Sequence, residues 1–354
     1  AYSLYGGLKA VAFTDILQVV LLVFGGLLLS YLALDAVADG QGVLAGFGIL
    51  TDQMPEHFDM ILSPENDHYM SLPGISVLIG GMWVMNISYW GFNQYIIQRA
   101  LAAKDLAEAQ KGIAFAAYLK ILVPFFVVVP GIAASVLFTD LDRADQAYPS
   151  LMNLMPVGLK GLVFAALFAA IVSSLASMCN SISTIFTMDI YSHFKKDKSQ
   201  SHYVKVGRIV SIVALIIAMI CARPLLGQFE QAFQYIQEFT GFFTPGIVVI
   251  FLLGMFWKTM NSVGAITAAV GSAALSILFK VTLPNLPFMD RVGVVFLACI
   301  ALAVLASLAT RKSYVAGGTG VVSLDKVNFD TSGSFNILGI GIVVILAALY
   351  ATWW

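Results

Sequence analysis

Leu159-Lys160-Gly161-Leu162-Val163-Phe164-Ala165-Ala166-Leu167-Phe168-Ala169-Ala170-Ile171-Val172-Ser173-Ser174-Leu175-Ala176-Ser177 opens a run that carries no charged residue between Lys160 and Asp189. A helix crossing the hydrocarbon core of a bilayer needs about 20 mostly apolar residues, and the segment 159–189 supplies them. Eight further segments read the same way: 11–35, 75–98, 113–138, 205–226, 231–257, 262–284, 288–310 and 334–353. The runs are too long and too evenly apolar for the alternating ten-residue strands of a membrane β-barrel. Backbone in lipid must satisfy its hydrogen bonds internally, so the expected fold is an all-α polytopic membrane protein.

Composition agrees with that reading. Of the 354 residues, 59% are hydrophobic and 11% charged, and mean hydropathy is +0.88. A soluble domain carries about 25% charged residues. The formal net charge of −1 provides no basic field to hold nucleic acid. The partner implied is the lipid bilayer. Cys179, Cys221 and Cys299 lie inside apolar runs without a C-x-x-C pair, and the four histidines fall in polar connections. Neither a disulfide framework nor a zinc site follows. The spans also lack paired carboxylates or a nucleophile with a base, so an enzyme is not expected.

Lys and Arg orient the spans. One side holds Lys9, Arg99, Lys104, Lys111, the cluster Lys195, Lys196, Lys198, Lys205 and Arg208, then Lys258, Arg311, Lys312 and Lys326. The other holds only Arg143, Lys160, Arg223, Lys280 and Arg291, and the 36–74 connection has neither residue type. The first side is therefore cytoplasmic, and Trp353 and Trp354 end the chain at the outer surface. A short helix is expected in 36–74, over the outer mouth. The glycines of 311–333 read as a flexible connection, because the Lys-Ser/Thr ending of a phosphate-binding loop is missing.

Polar residues inside spans are costly and point to function by default. Asn86-Ile87-Ser88-Tyr89-Trp90-Gly91-Phe92-Asn93-Gln94 follows Gly80-Gly81, a combination that permits local unwinding at a binding site. At 1.5 Å per residue, Asn86 lies roughly 16 Å from the outer start of its span, near the midplane. Lys120 lies inside the third span, with Pro124 and Pro130 kinking the helix beyond it. It either serves a site or snorkels to the surface. Gln234, Gln237 and Gly241 share a face of the sixth span. Amides, an ammonium group and aromatic rings suit a neutral polyol, although interhelical hydrogen bonding would use the same groups. In the fourth span Ala170, Ser173, Ser174, Ser177, Ser181 and Thr184 form one stripe. Such a stripe either supplies oxygen ligands to a small hard cation or serves close helix packing.

These residues also carry a resemblance. The chain resembles the sodium/solute symporter family and its sodium/glucose cotransporter branch, most nearly the bacterial sodium/galactose symporters. The motifs are Tyr5-Gly6-Gly7-Leu8-Lys9-Ala10 with Thr14-Asp15-Ile16-Leu17-Gln18, then Tyr89-Trp90-Gly91-Phe92-Asn93-Gln94-Tyr95-Ile96-Ile97-Gln98-Arg99, then Ala170-Ile171-Val172-Ser173-Ser174-Leu175-Ala176-Ser177-Met178, Thr187-Met188-Asp189-Ile190-Tyr191 and Gln231-Ala232-Phe233-Gln234-Tyr235-Ile236-Gln237-Glu238. The resemblance implies a LeuT-type inverted-repeat transporter fold. Within a single membrane domain, 11–35 would be the last helix of the first repeat, 75–257 the second repeat of five helices, and 262–353 three peripheral helices. The first four core helices and an extra amino-terminal helix would lie upstream of Ala1.

The resemblance further implies sodium-coupled symport of a monosaccharide of galactose or glucose type across the cell membrane. Asn86, Lys120 and Gln237 would hydrogen-bond the sugar, with Tyr89 stacking on it as an inner gate. Ala170 (by its carbonyl), Ser173 and Ser174 would hold the sodium ion, and Asp15 would receive the departing ion at the cytoplasmic end. Another neutral solute such as myo-inositol is the alternative cargo, and a non-transporting sugar sensor the alternative role.

Overall fold

The computed structural model describes residues 2–66, 68–226, 232–311, 322 and 327–354, and side chains from 15 to 222 and from 233 onward within those ranges. Most of the 311–333 connection, including Gly317, Gly318 and Gly320, and the start of the sixth span at Gln231 lie outside the described residues. Among the described residues the chain forms helices and no strand. They are α1 (Tyr2–Val37), α2 (Val43–Gln53), α3 (Ile75–Ile79), α4 (Gly81–Ile87), α5 (Gln94–Leu101), α6 (Leu106–Val123), α7 (Val129–Leu137), α8 (Ala147–Leu151) and α9 (Val157–Thr184). There follow α10 (Ser192–Phe194), α11 (Gln200–Leu226), α12 (Ala232–Gly241), α13 (Thr244–Phe256), α14 (Ser262–Thr282), α15 (Phe288–Ala309) and α16 (Gly333–Thr352). The short helix expected within 36–74 is α2.

Seven of the helical stretches are long and apolar enough to cross a membrane, and α12 with α13 forms an eighth that bends by 46°. The segment 75–98, read as one span with a weak point at Gly80-Gly81, is interrupted twice. Gly80 (φ −120°, ψ −96°) separates α3 from α4, and Asn93 (φ −84°, ψ 111°) separates a π-helical turn, Ser88–Phe92, from α5. The physical reason is the absence of a Cβ at Gly80, which opens conformations a larger residue avoids. The Asn93 carbonyl then starts α5 by accepting the amides of Ile96 and Ile97.

The chain divides into two compact units, 1–58 with 115–232 and 59–114 with 233–354. In the first, Leu29, Ala33, Leu50, Ala133 and Leu151 are wholly buried and hold α1, α2, α7 and α8 together. Gly25 lets Val163 of α9 press against the α1 backbone, and Gly26 does the same for Phe126. Pro124 begins a π-helical turn, Pro124–Val128. The Ser30 hydroxyl donates to the Phe125 carbonyl within that turn at 2.6 Å.

In the second unit, α13, α14 and α15 share the wholly buried Val249, Ala268, Val295, Cys299 and Ala303. A second cluster, Val84, Val248 and Val292, ties α4 to α13 and α15. Phe92 stacks on Phe251 with ring centroids 4.5 Å apart and planes 7° from parallel, which fixes the π-helical turn against α13. At the break between α12 and α13, the Ser272 hydroxyl donates to the Phe242 carbonyl at 2.8 Å and the Thr244 hydroxyl to the Thr240 carbonyl at 2.9 Å. Large apolar side chains stay exposed on the outside of α14 and α15, and α16 has no buried residue. Hydrocarbon is the natural neighbour of such surfaces.

Gly81 sits so close to the Met289 carbonyl of α15 that a Cβ would overlap it, whereas Gly339 of α16 faces open space. Alanine is the better helix former by about 1 kcal/mol. Gly339→Ala should therefore leave the thermal midpoint of the purified protein unchanged or raise it. Gly81→Ala should lower that midpoint, reflecting overpacking of about 1–3 kcal/mol.

Candidate functional site

The residues implied as ion ligands lie on α9, and the helix packed against them is α1. Small side chains on this part of α9 allow a close approach, and Ser173 and Ser177 are 6% and 1% exposed. The Ser173 hydroxyl donates a hydrogen bond to the carboxylate Oδ1 of Asp15. The Ser177 hydroxyl donates to the Ser173 carbonyl at 3.1 Å. Two residues singled out separately in the sequence, 158 positions apart, thus meet in one oxygen-rich pair. Ser174 points away from this contact and is exposed.

Ala170 lies within the regular part of α9. A helical carbonyl gives one lone pair to the amide four residues on, so the Ala170 carbonyl keeps a second for a ligand. The hydroxyl that donates to Asp15 likewise retains its acceptor lone pairs. Hydroxyls, a carboxylate and a carbonyl form an oxygen-only set, the donor chemistry of hard cations. The carboxylate adds the charge that offsets a cation in a low-dielectric setting.

Asn86, Tyr89 and Gln237 belong to the second unit, and Lys120 to the first with Asp15, Ala170, Ser173 and Ser174. Asn86 is half-buried in the last turn of α4, where its Nδ2 donates to the Met82 carbonyl at 2.9 Å. Tyr89 lies in the π-helical turn, 42% exposed. It meets Trp90 and Tyr95 edge to face at 5.3 and 6.2 Å between centroids. A broken helix bearing an amide and a half-exposed aromatic ring offers hydrogen bonds and an apolar face side by side. Lys120 is exposed on α6, one turn before Pro124.

Gln237 is half-buried on α12, and its carbonyl accepts the Thr240 hydroxyl at 3.0 Å. Gln234, read as its companion on one face, instead gives its Nε2 to the Ser71 hydroxyl of the preceding outer connection at 3.0 Å. Gly241, the third residue of that face, packs near Val292 of α15. The face therefore divides its work between tethering α12 and presenting Gln237.

A groove of about 450 Å³ lies between α1 and α9, lined by Leu17, Leu21, Leu162, Ala165 and Ala169 with Gln18 as its polar member. Its apolar walls suit an acyl chain or another helix and do not match the hydroxyls of a polyol. The Asp15–Ser173 pairing is the feature sequence reasoning missed. The signal available was an acid and a small-residue stripe in two adjacent apolar runs.

A model of the sodium:solute symporter family matches residues 1–271. Along its whole length the chain is 49% identical to the sodium/glucose cotransporter of Vibrio parahaemolyticus, covering 68% of that protein. It is 35% identical, over 76% of its length, to the mouse sodium/myo-inositol cotransporter 2, covering 44% of it. Over 82% of its length it is 34% identical to the mouse sodium/glucose cotransporter 4, covering 47% of it. The chain thus spans about half to two thirds of the relatives it matches.

The two adjacent serines separate packing from ligation. Ser173→Ala removes the donor to a carboxylate and should lower stability by about 2 kcal/mol, read as thermal midpoint in sodium-free buffer. Ser174→Ala, at an exposed position, should stay within about 0.5 kcal/mol of the parent. Equal losses at both would mark the stripe as packing alone.

Proposed function

Because this chain belongs to the sodium:solute symporter family, we propose that the protein carries a neutral monosaccharide of galactose or glucose type into the cell together with sodium. The observation that carries this reading is the hydroxyl–carboxylate pair of Ser173 and Asp15, placed between α1 and α9 in otherwise uncharged runs. The Vibrio relative, named a sodium/glucose cotransporter, supports a sugar as cargo. Myo-inositol is the second reading, supported by the lower identity to the mouse myo-inositol cotransporter.

The molecule is a multi-pass protein of the cell membrane. In the proposed arrangement it has the LeuT-type architecture. Residues 11–35 end the first repeat, 75–257 form the second, and 262–353 are peripheral. Sodium is held by the Ala170 carbonyl and the Ser173 and Ser174 hydroxyls, and leaves past Asp15 on the cytoplasmic side. Asn86, Lys120 and Gln237 hydrogen-bond the sugar, and Tyr89 covers its apolar face.

Coupling follows from differential affinity. An ion shifts a two-state equilibrium only by as much as it prefers one state. Sodium, bound more tightly in the outward-open state, favours the state that accepts sugar. One positive charge moving inward releases about 2.3 kcal/mol per 100 mV. Loss of sodium to the cytoplasm then removes that preference and frees the sugar. Asp15 assists this step, because its carboxylate offers the ion a stop next to Ser173.

Uptake of labelled galactose into vesicles carrying the full-length protein should require inward sodium, and equal uptake with potassium would overturn the reading. Competition with myo-inositol decides between the two cargoes. Gln237→Ala and Lys120→Ala should each raise the half-saturating sugar concentration at least tenfold while sodium binding persists. Ser174→Ala should do the reverse, weakening sodium about tenfold with sugar affinity at saturating sodium retained.

A further inference from the structure

Three charged side chains of the second unit, none of them a proposed sugar or sodium ligand, meet where α12 faces α14 and α15, with Arg291 buried and Lys280 half exposed. Glu238 of α12 accepts on one carboxylate oxygen from Arg291 of α15 at 2.7 Å and from Lys280 of α14 at 2.9 Å. The Arg291 side chain is only 7% exposed. Both cations also lie over the ring of Phe242, with the Arg291 guanidinium carbon 5.5 Å and the Lys280 ammonium 5.7 Å from its centroid. Phe242 itself is held by Ser272 of α14 through its carbonyl. One short half-helix is thus grasped from two neighbouring helices, at the residue next to Gln237 and at the break that follows.

We propose that Glu238, through Arg291 and Lys280, is the positioning residue that sets the rotation of α12 and so aims the Gln237 amide at the sugar. The inference rests on the reading of Gln237 as a sugar contact. Neighbouring residues on a helix point about 100° apart, so fixing Glu238 fixes the azimuth of Gln237. At a helix radius of about 5–6 Å, a 20° rotation displaces a side chain by about 2 Å, enough to break a hydrogen bond. The helix is short, bends 46° from α13 and meets α15 at Gly241 without a side chain, so its azimuth depends on side-chain contacts. Of these, the Gln234–Ser71 hydrogen bond is a single neutral one, whereas the Glu238 cluster is charged and two-sided. The two cations approach from different helices, which makes the clamp directional in a way that a single ion pair is not.

The test is a double-mutant cycle in the full-length protein, reading half-saturating solute and half-saturating sodium with whichever of galactose and myo-inositol the wild type accumulates. Glu238→Gln should raise the half-saturating solute concentration about tenfold and leave half-saturating sodium within twofold. In the Gln237→Ala background the same substitution should add less than a further twofold. Arg291→Gln should resemble Glu238→Gln, and Arg291→Lys should recover most of the loss. Should Glu238→Gln fail to fold, Lys280→Gln keeps the Arg291 pair and should give a smaller shift with the same non-additivity. Multiplicative losses, or an equal shift for sodium, would reduce the cluster to a structural brace. Those outcomes overturn the clamp alone, whereas a wild type that accumulates neither solute overturns the functional reading and the clamp with it.

Discussion

Every backbone amide and carbonyl within the hydrocarbon must find its partner inside the protein. The helices of this chain meet that demand by themselves along most of their length. Where a helix is interrupted, a specific group repairs the damage. At Pro124–Val128 the repair is the Ser30 hydroxyl on the Phe125 carbonyl. Between α12 and α13 it is Ser272 on Phe242 and Thr244 on Thr240. Between the π-helical turn and α5 it is the Asn93 carbonyl, which takes two amides. Interruptions that carry their own repair are built features, since an unrepaired carbonyl in lipid costs several kcal/mol. The proposed sugar contacts lie beside these interruptions: Asn86 and Tyr89 at one, Lys120 one turn from another, Gln237 one turn from the third.

The same constraint explains what could be read from the sequence. The spans at 159–189, 262–284, 288–310 and 334–353 are legible because length and apolarity alone decide them. The interruption at Gly80 is legible too, since paired glycines before a polar patch mark weakness in a helix. The π-helical turn at Ser88–Phe92 is not, because widening a helix by one residue needs no distinctive side chain and is settled by what packs on it, here Phe251. The bend within the sixth span falls where Gly241 and Pro245 announce it, but the group that satisfies its freed carbonyl, Ser272, comes from another helix.

Site residues divide along a similar line. Ser173 and Asp15 are each conspicuous, one by its stripe and one as an acid in an apolar run. Their pairing depends on how α1 packs on α9, and that depends on Gly25 accepting Val163. Periodicity within one helix cannot report on a contact 158 residues away. Arg291 shows the converse. As a cation on the outer side it serves the topology argument, and nothing in its own surroundings says that it is buried, because its partner Glu238 comes from a segment read for its glutamines.

Acidic groups within the helices are therefore used in two distinct ways. At Asp15 a carboxylate accepts from the Ser173 hydroxyl, and oxygen groups of this kind suit a hard cation. At Glu238 one acid meets two cations, so its own charge is more than offset and the carboxylate is held in position from two helices. Of the three groups only Arg291 is buried, so its pair with Glu238 is the costly one to break, while the half-exposed Lys280 adds less. The contrast assigns motion and stillness to different places. In the proposed cycle the ion site has to exchange its occupant and draws on lone pairs and one acid. The segment proposed to orient the sugar contact has to stay fixed and is held by opposite charges from two helices.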